Sequence, residues 1–166
     1  MTTPYDPDRH HRRSIRLPGY DYRQAGAYFI TICTRGRECV LSDPTVSGII
    51  HEVWQSLPAW FPTITLDEFV VMPNHVHLVL TPLEQPDGEW YPLSRILHTM
   101  KGYSGRQANR VLGREGAFWQ HESYDRYVRN EEELGRIIAY VVNNPVKAGL
   151  ASTWTEWPWT WSKYEL

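Results

Sequence analysis

The chain has 166 residues, of which 42% are hydrophobic and 22% are charged. These values are typical of a soluble globular protein with one domain, and they exclude wholesale disorder. The longest uncharged apolar run contains a proline, an asparagine and two histidines, which argues against a membrane-spanning helix. The first residues contain no apolar segment typical of a secretory signal, and the two cysteines, Cys33 and Cys39, are not spaced like a zinc site. We therefore expect a cytoplasmic protein with reduced thiols.

Charge is unevenly distributed along the chain, although it sums to only −2. Residues 1–37 and 95–129 each have a net charge of +4, whereas residues 38–94 contain eight acidic residues and no Lys or Arg. Two basic segments can meet in space as a phosphate-binding surface, but acidic and basic segments can equally pair with each other. Charge alone therefore leaves nucleic-acid binding open.

Hydrophobic periodicity predicts four strands and three helices in the order β-α-β-β-α-β-α. The strands are predicted at residues 27–34, 63–72, 75–81 and 123–129, and the helices at residues 42–57, 94–112 and 130–144. This order indicates an α+β fold of ferredoxin-like (RRM-like) type, an antiparallel sheet with helices on one face and an added C-terminal helix. We expect residues 1–22 to be a basic arm, residues 23–150 the folded domain, and residues 151–166 a tryptophan-rich tail packed on it.

Proline and glycine residues mark the expected ends and weak points of the helices. Pro58 is expected to end the first helix, and Pro145 disfavours helix at Asn144. Gly102 and Gly105 are expected to weaken or break the second helix.

The segment MPNHVHLVL, residues 72–80, places two histidines two positions apart in a predicted strand. Because side chains alternate along a strand, His75 and His77 project from the same face. Neutral imidazole is a common ligand of divalent metal ions, so two of them on one strand supply half a coordination shell. Taken alone, however, this spacing is more often explained by hydrogen-bonded histidines in a half-buried strand.

The last predicted helix carries polar residues beside its apolar stripe. The stripe consists of Leu134, Ile137, Ile138, Val141 and Val142, which satisfies packing without further residues. Tyr140 falls outside the stripe, and Asn144 lies one turn later on the same face. The phenol and the carboxamide could enter a cleft beside the two imidazoles. A structural tyrosine at the rim of the domain is the alternative explanation for Tyr140.

Taken together, these residues resemble the HUH endonuclease superfamily in its single-tyrosine branch, and more narrowly the REP-associated tyrosine transposases and their insertion-sequence relatives. The resemblance is carried by the histidine-hydrophobic-histidine strand and the late-helix tyrosine. Further matching segments are RRSIRLPGYDY, AYFITICT, FWQHESYDRYVRNEEE and YVVNNPVKAGL. It implies a metal-dependent DNA transposase or endonuclease that nicks and rejoins single-stranded DNA through a 5′-phosphotyrosine intermediate. By position, it implies that His75, His77 and Asn144 hold Mg²⁺, with Mn²⁺ as a substitute, and that Tyr140 is the nucleophile.

The resemblance also implies a DNA partner, either single-stranded or hairpin DNA with repetitive palindromic or element-end sequences, bound by a monomer or a homodimer. The candidate phosphate contacts are Arg12, Arg13 and Arg16 on the arm, Lys101, Arg106 and Arg110 in the second helix, and Arg126 and Arg129 before the last helix. A solvated arm explains the first three equally well. The linker LEQPDGEWYPL is acidic where a DNA-facing loop would be basic, which leaves the direction of strand entry open.

Two other functions fit parts of the sequence. A histidine-triad nucleotide hydrolase also places alternating histidines on a strand, but it needs a third histidine where this chain has Val79. A domesticated DNA- or RNA-binding protein could use the same fold without cleaving its ligand.

Overall fold

The computed structural model describes residues 26–164, so the predicted arm with Arg12, Arg13 and Arg16 lies outside the described residues. Its elements are β1 Tyr28–Cys33, α1 Pro44–Trp60, β2 Ile64–Val71, β3 His75–Pro82, α2 Leu93–Leu112, β4 Tyr124–Tyr127, α3 Glu131–Lys147 and β5 Thr160–Ser162. The predicted order is confirmed, with one unpredicted strand at its end. None of the helices in this part of the chain is long and apolar enough to cross a bilayer.

The five strands form one sheet in the order β4-β1-β3-β2-β5, and every neighbouring pair is antiparallel. Strand β3, which contains the two histidines, lies at the centre between β1 and β2. Pairing on both sides fixes the register of β3, because a slip of one residue would turn its apolar side chains to the wrong face. The direction of each β3 side chain is therefore determined by the whole sheet.

One face of the sheet packs against α1 and α2 and forms the main core. Ile30 of β1 and Leu78 of β3 are fully buried in it. The Trp54 ring of α1 stacks on Phe69 of β2, with ring centroids 4.8 Å apart. Burying one such side chain stabilises the fold by roughly 1.5–3 kcal/mol, so this face holds the sheet rigidly.

Helix α3 packs on the opposite face of the sheet. Val70 and Val79 point toward it from β2 and β3, and Val141 of α3 is completely buried against this face. The helix begins within one residue of the predicted start, and the Asn130 side-chain oxygen caps it by accepting a hydrogen bond of 2.8 Å from the Glu133 backbone N–H. The predicted fold class is confirmed, and the added helix covers the sheet face that α1 and α2 leave free.

Two predicted helix ends are wrong. Helix α1 continues through Pro58 to Trp60, and α3 continues through Pro145 to Lys147. A proline removes one backbone donor from a helix. In both helices it lies near the last turn, where few further bonds depend on it. The end of α3 is closed by the Ala148 N–H, which donates to the Asn144 carbonyl over 3.0 Å.

Helix α2 is continuous, so the break expected at Gly102 and Gly105 does not occur. Gly105 is buried, and a Cβ built on it would lie 3.3 Å from the Phe118 Cβ and 3.6 Å from Trp119 Cδ1. The Trp119 indole N–H donates to Ser104 Oγ over 2.9 Å. This glycine therefore admits the segment before β4 close to the helix and does not interrupt it.

The tryptophan-rich segment after α3 folds back along β2. Strand β5 pairs with β2, which places the described part of this segment at the edge of the sheet. The Trp157 indole N–H donates to the Val71 carbonyl over 2.8 Å, and the Trp161 ring meets Trp54 edge to face at 6.3 Å. These contacts cover the β2 edge that would otherwise expose unpaired backbone groups.

Candidate active site

The two histidines of β3 lie side by side on the sheet face that α3 covers. Their ring centroids are 4.7 Å apart, and His77 is only 5% exposed while His75 is half-buried. The intervening Val76 points into the main core. The alternation predicted from the sequence is therefore present, and the rigid central strand fixes the separation of the imidazoles.

Each imidazole is oriented by a hydrogen bond at Nδ1. His75 Nδ1 lies 2.7 Å from Asn74 Oδ1, and His77 Nδ1 lies 2.8 Å from Thr31 Oγ1 of the neighbouring strand. The Asn74 amide nitrogen is directed to the Arg37 carbonyl, which leaves its oxygen to accept from His75. When Nδ1 carries the proton, Nε2 has a free lone pair. Both rings can thus offer Nε2 to a metal ion.

The surroundings keep both imidazoles neutral. Burial lowers the pKa of His75 to about 4, and the positive charge of Arg37 adds to the effect. Burial lowers the pKa of His77 to about 3, and His75 contributes further. Neutral imidazole is the form that binds metal ions, so neither ring has to lose a proton near neutral pH.

Tyr140 of α3 lies next to His77. Their ring centroids are 5.5 Å apart, and Phe29 of β1 contacts both rings, at 5.4 Å from His77 and 6.2 Å from Tyr140. The tyrosine is 47% exposed, so its ring borders both the histidine and solvent. The structure brings together the phenol and the imidazoles that the sequence singled out.

Asn144 follows Tyr140 by one turn of α3 and is half-buried. Residues 26–164 contain no cluster of three or more His, Cys, Asp or Glu side chains suited to a metal ion. A divalent ion on the two imidazoles would therefore need a different third ligand, and the carboxamide oxygen of Asn144 is of a suitable kind. The donor set fits an ion that keeps open positions for water and a phosphate oxygen.

Within residues 26–164, the predicted basic contacts lie on both faces of the sheet and do not form one surface around this site. Lys101, Arg106 and Arg110 belong to α2, which packs on the opposite face of the sheet from α3. The Lys101 ammonium donates to the carbonyl oxygens of Gln120 and His121, at 2.7 and 2.9 Å. Lys101 therefore anchors the segment before β4.

Arg126 lines a groove together with Tyr140, and Arg129 lies between β4 and α3. Arg126 forms an ion pair with the buried Glu133, and the Arg129 backbone N–H donates to the other oxygen of that carboxylate over 2.8 Å. The Glu133 carboxylate thus accepts from the backbone of the residue that directly precedes the Asn130 cap. Both arginine side chains remain largely exposed.

Sequence reasoning missed the residues that support the site. Thr31 is opposite His77 only because β1 and β3 pair in this register, so the sequence contains no local signal for it. Phe29 contacts the site for the same reason. Asn74 could have been found from the sequence, because a carboxamide directly before the first histidine is a natural hydrogen-bond partner of that histidine.

A five-stranded sheet with two histidines on its central strand and a tyrosine helix above them defines the class of single-tyrosine HUH transposases and nucleases. A family model described as "Transposase IS200 like" matches residues 23–144. The chain belongs to this family of IS200-like transposases. The resemblance found in the sequence is confirmed, and members of this class generally use a divalent metal ion.

Similar proteins support the same placement. An uncharacterized protein of Haemophilus influenzae is 33% identical to this chain, and the match covers 88% of this chain and 94% of that protein. The REP-associated tyrosine transposase of Escherichia coli K12 is 25% identical, with coverage of 84% of this chain and 78% of that protein. The solved structure of a REP-associated tyrosine transposase bound to a REP hairpin has a TM-score of 0.66 at 23% identity, and the match covers 85% of this chain and 79% of that chain. This structural likeness concerns the fold.

Proposed function

We propose that this protein is a metal-dependent DNA transposase or endonuclease that nicks and rejoins single-stranded or hairpin DNA, with Tyr140 as the nucleophile. The observation that carries the proposal is the contact between Tyr140 and His77, at 5.5 Å between ring centroids, beside a second imidazole. A structural tyrosine needs no neutral histidine pair next to it, whereas a phosphoryl-transfer site needs both a nucleophile and a metal ligand set.

In this proposal, His75, His77 and Asn144 hold a divalent ion, Mg²⁺ with Mn²⁺ as a substitute. When bound, the ion neutralises a nonbridging phosphate oxygen and so makes the phosphodiester susceptible to in-line attack. Thr31 and Asn74 keep Nε2 of each imidazole directed to the ion by holding Nδ1. The packing of α3 on the sheet keeps the phenol beside this position.

The Tyr140 oxygen forms a bond to phosphorus, and the bond from phosphorus to the 3′ oxygen breaks. The products are a 5′-phosphotyrosine and a DNA strand that ends in a 3′ hydroxyl. The phenol loses its proton and the leaving oxygen gains one, so the step is balanced. Because one phosphodiester replaces another, a 3′ hydroxyl can attack the phosphotyrosine and rejoin DNA without an external energy source.

We infer the DNA partner from the transposase family, from one named relative and from one related solved structure. The E. coli relative is a REP-associated tyrosine transposase, and the related solved structure is described as bound to a REP hairpin. We infer a hairpin with a single-stranded extension as the ligand of this chain too. The candidate phosphate contacts stay Arg12, Arg13 and Arg16 of the arm, Lys101, Arg106 and Arg110 of α2, Arg126 of β4, and Arg129 between β4 and α3.

The test is covalent trapping. The full-length protein is incubated with labelled hairpin oligonucleotides that have single-stranded extensions, in the presence of Mg²⁺ or Mn²⁺, and then denatured. We expect a protein-DNA adduct that is resistant to denaturation. It should be absent in Tyr140→Phe and strongly reduced in His75→Ala or in chelator.

Tyr103→Phe is the matched control, because Tyr103 has a similar exposure but lies on α2. Retention of the adduct in Tyr140→Phe would refute the assignment of the nucleophile. Tight hairpin binding without any adduct would favour a DNA-binding protein that does not cleave.

A further inference from the structure

A groove of about 260 Å³ opens beside Tyr140, between α3 and the edge strand β4. Phe29 and Ile137 supply its apolar surface, and Tyr124 and Arg136 supply an aromatic ring and a positive charge. Nothing in the catalytic scheme above uses the last two residues. The groove is large enough for a small planar group and its phosphate but too small for a duplex.

The sheet register places Tyr124 near the imidazoles. Thr31 of β1 pairs with Tyr124 on one side and with His77 on the other, so the three residues form one row across the sheet. Cross-strand partners share a face, and Thr31 contacts His77 on the α3 face. With strands about 4.8 Å apart, the Tyr124 and His77 backbones are about 10 Å apart. The groove therefore leads directly to the candidate active site.

The two unused side chains of the groove are available to a ligand. Tyr124 is 36% exposed on the edge strand. Arg136 is 68% exposed and pairs with Glu132, which is also on the surface. A pair of this kind contributes little to stability, so Arg136 can exchange it for a phosphate at small cost. In contrast, Arg126 is held by the buried carboxylate of Glu133.

We propose that this groove binds one unpaired nucleotide of a single DNA strand, next to the phosphate presented to Tyr140, with its base stacked on Tyr124 and its own phosphate paired with Arg136. Stacking on an aromatic ring with a nearby arginine is how proteins hold single strands without reading sequence. The proposal rests on the proposed function, because it assigns the path of the same strand. It also gives the DNA strand a binding position that does not depend on the acidic linker LEQPDGEWYPL.

The test separates binding from cleavage. All variants carry Tyr140→Phe and are measured in EDTA, so that neither adduct formation nor metal binding contributes. The probe is a fluorescein-labelled ten-residue oligothymidylate, and its binding is followed by anisotropy at several salt concentrations. The groove variants are Tyr124→Ala, Tyr124→Phe and Arg136→Ala. Matched controls are Tyr103→Ala, since Tyr103 is 40% exposed on α2, and Arg114→Ala, since Arg114 forms a surface pair with Glu38.

We expect Tyr124→Ala to weaken binding about tenfold, as loss of one stacked base does, and Tyr124→Phe to restore it. Arg136→Ala should weaken binding and reduce the slope of log affinity against log salt concentration by about 0.7, the value for one phosphate contact on a single strand. Thermal unfolding of each variant checks that the fold is retained.

The proposal is overturned if the groove variants bind as tightly as the controls, if Tyr124→Phe is as weak as Tyr124→Ala, or if the parent protein does not bind the oligothymidylate. These outcomes are independent of the trapping experiment. If the adduct forms but the groove variants bind the oligothymidylate normally, only the role of the groove is refuted. If the groove variants bind more weakly but no adduct forms, only the proposed cleavage chemistry is refuted.

Discussion

Replacing Thr31 with valine should weaken metal binding without removing a metal ligand. Thr31 Oγ1 lies 2.8 Å from Nδ1 of His77, whose side chain is only 5% exposed. Valine has a similar shape but no hydroxyl, so the buried ring nitrogen would lose its partner, which costs about 1–3 kcal/mol. Because Nδ1 also sets the orientation of Nε2, we expect the affinity for Mn²⁺ to fall about 10–100-fold, or about 1.4–2.7 kcal/mol.

The assay is a titration with Mn²⁺ in which free ion is followed by electron paramagnetic resonance. Thr81→Val is the matched control, because Thr81 lies on the same strand as His77 but donates to Asp67 over 2.7 Å, away from the imidazoles. It should lose stability and keep the affinity for Mn²⁺. Equal Mn²⁺ affinities in the two variants would refute the role of Thr31 and, with it, the inference that Nε2 of His77 is the ligand atom.

Further predictions concern stability. Burial raises the pKa of Glu68 from 4.5 to about 7, so the folded state binds more protons between these values and wild-type stability falls as pH rises through this window. The side chain introduced by Glu68→Gln stays neutral, so the free energy of unfolding of this variant relative to wild type should increase between pH 5 and pH 8, by at most about 3 kcal/mol. Urea denaturation that gives the same difference between variant and wild type at both pH values would contradict this. Gly105→Val should destabilise the fold by about 1–3 kcal/mol, because its methyl groups would overlap Phe118 and Trp119; an unchanged melting temperature would argue against that close approach. Trp157→Phe should cost about 1 kcal/mol through loss of the indole hydrogen bond, which calorimetry can measure.

The local features of the fold were predictable because they depend on alternation and helical periodicity. The His75 and His77 side chains lie together because a strand has a period of two, and Tyr140 leaves the buried stripe of α3 because a helix has a period of 3.6. Strand β5 was missed, since three half-buried residues in a tryptophan-rich segment give no alternating pattern. Its formation depends on the open edge of β2 and on contacts such as Trp161 with Trp54.

The two wrong helix ends and the wrongly expected helix break have a common physical cause. Pro58, Pro145 and Gly105 were judged by local backbone preferences, but each lies in a helix that is held by packing. Pro145 itself is buried at the end of α3, and Gly105 is the point of closest approach between α2 and the Trp119 segment. Tertiary contacts outweigh a local preference of this size.

The surroundings of the histidines were equally invisible in the sequence. Thr31 is 46 residues away from His77, and the sheet register alone makes them neighbours. The same register brings Tyr124 into the row that leads to the site. Sequence reasoning could name the candidate ligands and the candidate nucleophile, but the residues that orient the imidazoles required the three-dimensional pairing.

The most direct test of the central claim is a crystal structure of the full chain soaked with Mn²⁺, with the ion located by its anomalous signal. We predict one peak within about 2.0–2.3 Å of Nε2 of both His75 and His77, on the side of the sheet where the Tyr140 hydroxyl lies. A peak bound through Nδ1, a peak on the α2 face, or no peak at the imidazoles in protein that retains its fold would contradict the account.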